Sequence, residues 1–141
     1  MTRRFRTFAA VAALTAALLA SSEAAAQSCG AGLAGARRIE SSSYALAFRT
    51  QPAKIVIGQH FAVEFAVCAK GERPSPEAVQ VDALMPEHRH GMNYKTSVRK
   101  TGPDRFRADG LMFHMPGRWD LVFEVQGAGQ TERLVRSIVV Q

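Results

Sequence analysis

The chain contains 141 residues, of which 47% are hydrophobic and 21% are charged. A length of this order gives one domain with its own hydrophobic core, and the hydrophobic content excludes an intrinsically disordered chain. The 18 basic side chains outnumber the 12 acidic ones, and the net charge at pH 7 is +6. Such a charge is typical of nucleic-acid-binding domains. Its interpretation therefore depends on whether the chain stays in the cell or is exported.

The first 26 residues have the three parts of a secretory signal peptide. A basic start at residues 1–6 precedes an Ala/Leu-rich run at residues 7–20, and small residues end at Ala26. We expect cleavage after Ala26, which lowers the net charge to about +4. No later segment approaches the roughly 20 apolar residues of a spanning helix. We therefore predict a periplasmic or secreted mature chain without a transmembrane segment and without a nucleic-acid partner.

The only two cysteines are Cys29 and Cys68. An oxidising compartment makes a disulfide between them the expected state, with two free thiols as the alternative. A bridge that closes a loop of about 40 residues contributes roughly 4 kcal/mol in the chain-entropy description. The spacing excludes a Cys-x-x-Cys redox motif, so we interpret the pair as structural.

Residues 27–43 are small and polar and predict a flexible N-terminal segment. From residue 44 onwards apolar residues alternate with polar ones, which is typical of half-buried strands. Turn residues such as Gly102, Pro103 and Asp104 separate these runs. The predicted strands, of which the first two can be one bent strand, are residues 42–49, 54–57, 59–69, 78–84, 95–100, 105–115, 118–126 and 131–140.

Seven or eight short strands in roughly 100 residues predict an all-β fold, an immunoglobulin-like antiparallel β-sandwich over residues 44–141. A small barrel is the alternative. The pair Asp109-Gly110 indicates a β-bulge within its strand. No stretch after residue 43 has helical periodicity.

Soft metal-binding side chains are concentrated between residues 85 and 115. His88, His90 and Met92 follow one another at a spacing of two, which places them on one face of an extended chain. His114 lies at the predicted end of another strand, which an antiparallel neighbour can bring close. Imidazole and thioether donors suit copper, above all Cu(I), with zinc as the alternative. The sequence therefore predicts a copper site with these four ligands.

The neighbouring methionines and aromatics have structural interpretations. Met85 continues the inward face of a strand, and Trp119 opens an apolar strand, so both are predicted to lie in the core. The faces of Met112 and Met115 depend on the bulge, so whether either joins the site stays open. His60 is predicted to be a surface residue.

Basic residues exceed acidic ones by seven to three between residues 85 and 118. This surplus supports an alternative function, a metal-free module whose basic face docks an acidic envelope protein or anionic lipid. The sequence contains neither a nucleophile elbow nor carboxylates paired in a common context. We therefore predict that the protein is not an enzyme.

Residues 82–92 and 110–119 resemble the YtkA-like and FixH-like family of small exported β-sandwich domains. The resemblance covers most of residues 44–140 and implies an immunoglobulin-like fold. FixH-like members are associated with copper supply to respiratory oxidases and usually carry a membrane anchor, whereas we expect a cleavable signal here. The prediction is a copper-binding or copper-delivery protein whose partner is a metal-recipient or other envelope protein. The matching residues are Met85-Pro86 with His90-Gly91-Met92, and Phe113, Met115-Pro116-Gly117 and Trp119.

Overall fold

The computed structural model describes residues 28–141, so the predicted signal peptide lies outside the described residues. Nine strands follow one another along the described chain. Their bounds are β1 Arg37–Glu40, β2 Tyr44–Gln51, β3 His60–Ala69, β4 Ala78–Met85, β5 His90–Gly91, β6 Ser97–Gly102, β7 Arg105–Met112, β8 Gly117–Gly127 and β9 Gln130–Val140.

The strands form two sheets whose neighbouring strands are all antiparallel. One sheet has five strands in the order β1-β2-β3-β7-β6, and the other has four in the order β5-β4-β8-β9. Without β1, this order matches the two sheets of the immunoglobulin fold. The structure thus confirms the predicted antiparallel β-sandwich. Within residues 28–141, no helix is long and apolar enough to cross a membrane.

The core lies between the two sheets and is rich in aromatic rings. Phe123 of β8 packs against Phe48 of β2 and Phe65 of β3, each with a ring-centroid distance of 5.3 Å. Near one end of the sandwich, Trp119 stacks on Phe113 at 4.7 Å. Edge-to-face and offset stacked pairs of this kind stabilise a core beyond the area that they bury.

The disulfide is formed between Cys29 and Cys68, whose Cα atoms lie 5.8 Å apart. It confirms the predicted pairing. The bridge packs with Ala45 and Ala66 in a small cluster separate from the main core. Since Val67 points into the core, Cys68 lies on the outer face of the five-stranded sheet. The bridge therefore fixes the start of the described chain to β3.

The N-terminal segment and the loop after β2 differ from their predictions. Residues 27–43 were expected to be a flexible segment, yet Arg37–Glu40 forms β1 against β2. A short edge strand with a single inward apolar residue, Ile39, leaves almost no periodic signal. Residues 54–57, expected to form a strand, lie in a loop. Pro52 has no N–H to donate, which favours the end of the ladder at Gln51.

The predicted bulge at Asp109-Gly110 is present. Phe61 pairs with Leu111 while Val63 pairs with Ala108, so two residues of β7 stand opposite one residue of β3. Gly110 has a φ of +90°, a conformation that side chains other than glycine rarely adopt. The extra residue reverses the alternation of β7, so that Leu111 and Phe113 point into the core.

Candidate metal centre

The two Met/His clusters predicted from the sequence meet at one end of the sandwich. β4 ends at Met85 and turns into β5, which begins at His90. β7 ends at Met112, earlier than predicted, so His114 lies in the loop before β8. β4 pairs with β8 through Leu84 and Asp120, which brings the turn after β4 next to this loop.

Three imidazole rings form a row, which we call the histidine row: His88, His90 and His114. The ring centroids of His88 and His90 are 5.8 Å apart, at an angle of 45°. Those of His90 and His114 are 5.1 Å apart, at an angle of 30°. His90 is therefore the middle ring. The structure thus brings three of the four predicted ligands together.

The backbone of the β4–β5 turn places the first two rings. His88 donates its backbone N–H to the carbonyl of Met85 at 3.1 Å, which closes the turn. Arg89 adopts a positive φ of 54°, and His90 then pairs with Met85 across the hairpin. Consequently His88 is exposed, whereas His90 is half-buried at the start of β5.

His90 and His114 can each offer the lone pair of one ring nitrogen to a metal ion. His90 Nδ1 lies 3.1 Å from the carbonyl oxygen of Gly91. A proton on Nδ1 makes this contact a hydrogen bond, and it leaves the lone pair of Nε2 free for a metal. His114 Nδ1 is buried and has no hydrogen-bond partner. Buried polar atoms without partners are rare, and a bound ion is one way to satisfy them.

Trp119 forms the inner wall of the histidine row. Its ring centroid lies 5.3 Å from that of His114 and 5.9 Å from that of His90, and both rings meet it at steep angles. Trp119 is fully buried, and its Nε1–H donates to the carbonyl of Met115 at 3.1 Å. This bond ties the loop that carries His114 to β8. The sequence predicted Trp119 as a core anchor, but no sequence pattern revealed its contact with the histidines.

The methionines take different positions around the row. Met85 is buried, as predicted, with its terminal methyl group against Gly117. Met92 and Met115 are half-buried and pack against the main core. Met92 lies just beyond β5 and donates its backbone N–H to Ala83 at 3.2 Å. Its side chain lines a groove of about 940 Å³ along β4.

The histidine row does not provide a complete set of metal ligands. Among residues 28–141, no three His, Cys, Asp or Glu side chains form a group positioned to hold a metal ion. His90 has a histidine on either side, but His88 and His114 lie at opposite ends of the row. A third donor therefore requires rotation of the exposed His88 ring or the approach of a thioether.

The charges beside the row are few and mostly positive. Arg118 contacts Glu87 at 3.5 Å, both on exposed side chains, and Arg89 lies between the two turn histidines in sequence. An exposed pair of this kind contributes little to stability. The carboxylate of Glu87 is thus shared with a guanidinium, and the row itself contains no carboxylate.

Several arginines on the outer face of the five-stranded sheet are paired with carboxylates. Glu64 contacts Arg49 at 2.7 Å and Arg107 at 3.0 Å, and Asp109 contacts Arg107 at 2.8 Å. Hydrogen bonding from Arg49 and the charges of Arg49 and Arg107 lower the pKa of Glu64 against the effect of desolvation. Arg99 adds a longer contact to Asp109 at 3.6 Å. These arginines and carboxylates therefore form a network of ion pairs on the outer face of the sheet.

No family model, curated protein or solved structure matches the chain. The resemblance to YtkA-like and FixH-like domains therefore stays a prediction, and the function must be argued from the site.

Proposed function

We propose that this protein is an exported copper carrier that binds Cu(I) at the histidine row and does not catalyse a reaction. The observation that carries the proposal is the spacing of the rings. Two imidazoles that share an ion at nitrogen–metal distances of about 2.0 Å have ring centroids roughly 5 to 6 Å apart. The observed separations of 5.1 and 5.8 Å lie in this range.

The choice of Cu(I) follows from the donors and their surroundings. Imidazole nitrogens with nearby thioethers are soft ligands, whereas calcium and magnesium need oxygen ligands. The fully buried Trp119 makes the inner wall apolar, which disfavours a high ionic charge. Arg89 and Arg118 act in the same direction, because they repel a divalent ion more than a monovalent one.

The exposure of the three rings suggests how the ion moves. His88 is exposed, His90 is half-buried, and His114 carries the buried Nδ1. We expect His88 to meet the ion first and to pass it to the pair His90 and His114. In this proposal Met92, which lies just beyond β5, moves towards the row and supplies a thioether as the further ligand. Release to a recipient protein reverses these steps through the exposed ring.

The cellular setting of the proposal is the periplasm or the extracellular space. A disulfide is characteristic of oxidising compartments, and the predicted signal peptide points to export. The resemblance to FixH-like domains, which are associated with copper supply to respiratory oxidases, agrees with a delivery role. The partner would then be a metal-recipient protein of the envelope.

The alternative function, docking through a basic face, has less support. Three of the arginines that define the outer face of the five-stranded sheet contact Glu64 or Asp109. Arginines that are already paired attract an acidic partner less strongly than unpaired arginines would. Binding that ignores chelators and weakens steeply with salt would revive this alternative.

Trp119 provides the test, because it is the only tryptophan and contacts two rings of the row. We expect the first equivalent of Cu(I) to quench its fluorescence in the exported chain. The variants His90→Ala and His114→Ala should lose this response, while the control His60→Gln should keep it. Quenching that persists at the same Cu(I) concentration in both alanine variants would refute the proposal.

A further inference from the structure

A second pair of soft donors lies outside the histidine row. His60, the first residue of β3, pairs directly with Met112, the last residue of β7. Residues that stand directly opposite each other in antiparallel strands have Cβ atoms roughly 4.5 to 5.5 Å apart. An imidazole and a thioether at this separation can reach one ion between them.

Both side chains are on the outer face of the five-stranded sheet. Their neighbours Phe61 and Leu111 are 4% and 0% exposed and point into the core. Alternation along each strand then turns His60 and Met112 outwards. On β7 this orientation depends on the bulge at Asp109-Gly110, since unbroken alternation from Ala108 would have pointed Met112 into the core.

Aromatic rings adjoin this pair along both strands and lie beside the His60 ring. Phe61 and Phe113 meet at 4.9 Å, and Phe113 stacks on Trp119. Tyr94 meets the His60 ring edge-on at 5.1 Å. Tyr94 thereby limits the orientations of the His60 ring, and His60 as a whole is exposed to solvent.

The acidic groups of the same sheet face are already paired. Glu64, further along β3, contacts Arg49 and Arg107, and Asp109 contacts Arg107. The donors that this pair offers are therefore one imidazole and one thioether, both soft ligands. Such a set selects Cu(I) over hard divalent ions, because Cu(I) accepts low coordination numbers and sulfur ligands.

We propose that His60 and Met112 form a second, outer Cu(I) site, with Tyr94 as its side wall. It rests on its own two ligands and does not depend on the histidine row binding a metal. With fewer protein donors and more exposure than the row, it binds more weakly. The protein would then hold two equivalents of Cu(I), the second at a site open to exchange.

The test uses Ag(I), a redox-inert monovalent probe with similar ligand preferences, and the exported chain labelled with carbon-13 at its methionine methyl groups. We expect the Met112 methyl resonance to shift as Ag(I) is added. In His60→Gln the Ag(I) concentration that half-saturates the Met112 shift should rise at least about tenfold, because one of two ligands is lost. The variant Met112→Leu keeps the apolar volume and should lose the second equivalent.

The two proposals fail separately in this experiment. A Met112 resonance that does not move, or that titrates identically in His60→Gln, would overturn the outer site whatever Trp119 does. A shift of Met112 that depends on His60 would support the outer site even if Trp119 fluorescence did not respond. Unchanged near-ultraviolet circular dichroism of each variant would show that the fold is intact.

Discussion

The imidazole rings of His90 and His114 lie 5.1 Å apart although the whole of β6 and β7 lies between the two residues in the chain. His90 begins β5 at the edge of the four-stranded sheet, and His114 lies in the loop that joins β7 of one sheet to β8 of the other. The pair therefore exists only when both sheets are assembled. A metal ion held by both rings would stabilise the folded protein, because the unfolded chain does not offer this arrangement.

Trp119 should support both stability and the site. The substitution Trp119→Phe removes the hydrogen bond to the Met115 carbonyl and part of a fully buried ring. We expect a loss of about 1 to 3 kcal/mol in the free energy of unfolding, measured by urea denaturation, together with weaker Cu(I) binding. The control Phe123→Leu changes a buried ring that packs on Phe48 and Phe65, and it should lower stability alone. Equal Cu(I) affinities of Trp119→Phe and the wild type would show that the wall does not organise the site.

Removal of the disulfide should affect stability without affecting the metal site. The bridge packs on Ala45 and Ala66 outside the main core. In the double variant Cys29→Ser/Cys68→Ser we expect a loss of about 2 to 5 kcal/mol in denaturant titrations. Its Cu(I) stoichiometry at low temperature should equal that of the wild type. Fewer bound equivalents in the folded variant would contradict the independence of the metal site from the bridge.

The bulge should be sensitive to any side chain at position 110. In Gly110→Ala the new Cβ would lie 3.0 Å from the carbonyl oxygen of Lys95, at a φ of +90°. We expect destabilisation of about 1 to 3 kcal/mol, from strain and crowding together. Gly129→Ala is the control, because φ there is also positive but no atom lies within 4 Å of the new Cβ. If chemical denaturation gave the same loss for both variants, crowding at the bulge would contribute nothing.

Glu132 should make the protein sensitive to acid. The neighbouring side chains of Ser41 and Ser43, with hydrogen bonds from the Ser43 N–H at 3.3 Å and the Ser42 hydroxyl at 3.2 Å, lower the pKa of its carboxyl to about 2. Because the folded-state pKa lies below the ordinary value of 4.5, this stabilisation is complete above that value and is lost as the pH falls towards about 2.

The variant Glu132→Gln should therefore have a lower Tm at pH 7 and nearly the wild-type Tm near pH 2. Solvent screening keeps the difference below about 1 kcal/mol, which is a few degrees in Tm for a domain of this size. Thermal unfolding followed at pH 7, 4 and 2 gives the comparison. A difference in Tm that stayed constant across this range would contradict the role of the carboxylate.

The sequence predicted those features that rest on a repeated pattern. Alternation such as Phe61, Val63 and Phe65 indicates strands, because every second side chain is needed in the core. The pairing of Cys29 with Cys68 followed from the compartment and the count of cysteines. The convergence of His114 with His90 was predicted from the expected antiparallel neighbours, and the structure shows the two rings side by side.

Other features depend on geometry that a pattern does not carry. β1 contributes only Ile39 to the core, so it has no periodic signal. β5 ends at Gly91, and beyond it Met92 packs against the core and lines the groove along β4 instead of extending the strand. The pairing of His60 with Met112 requires the exact register across the bulge, which the sequence leaves open.

A competition titration with a Cu(I) chelator tests the central claim most directly. The wild-type chain from residue 27 onwards should bind its first Cu(I) tightly, and the double variant His90→Ala/His114→Ala should bind it at least about 100-fold more weakly, because both imidazole donors are lost. His60→Gln should leave this first affinity unchanged. An equal first affinity in the wild type and the folded double variant would contradict the account and remove the histidine row as the copper site.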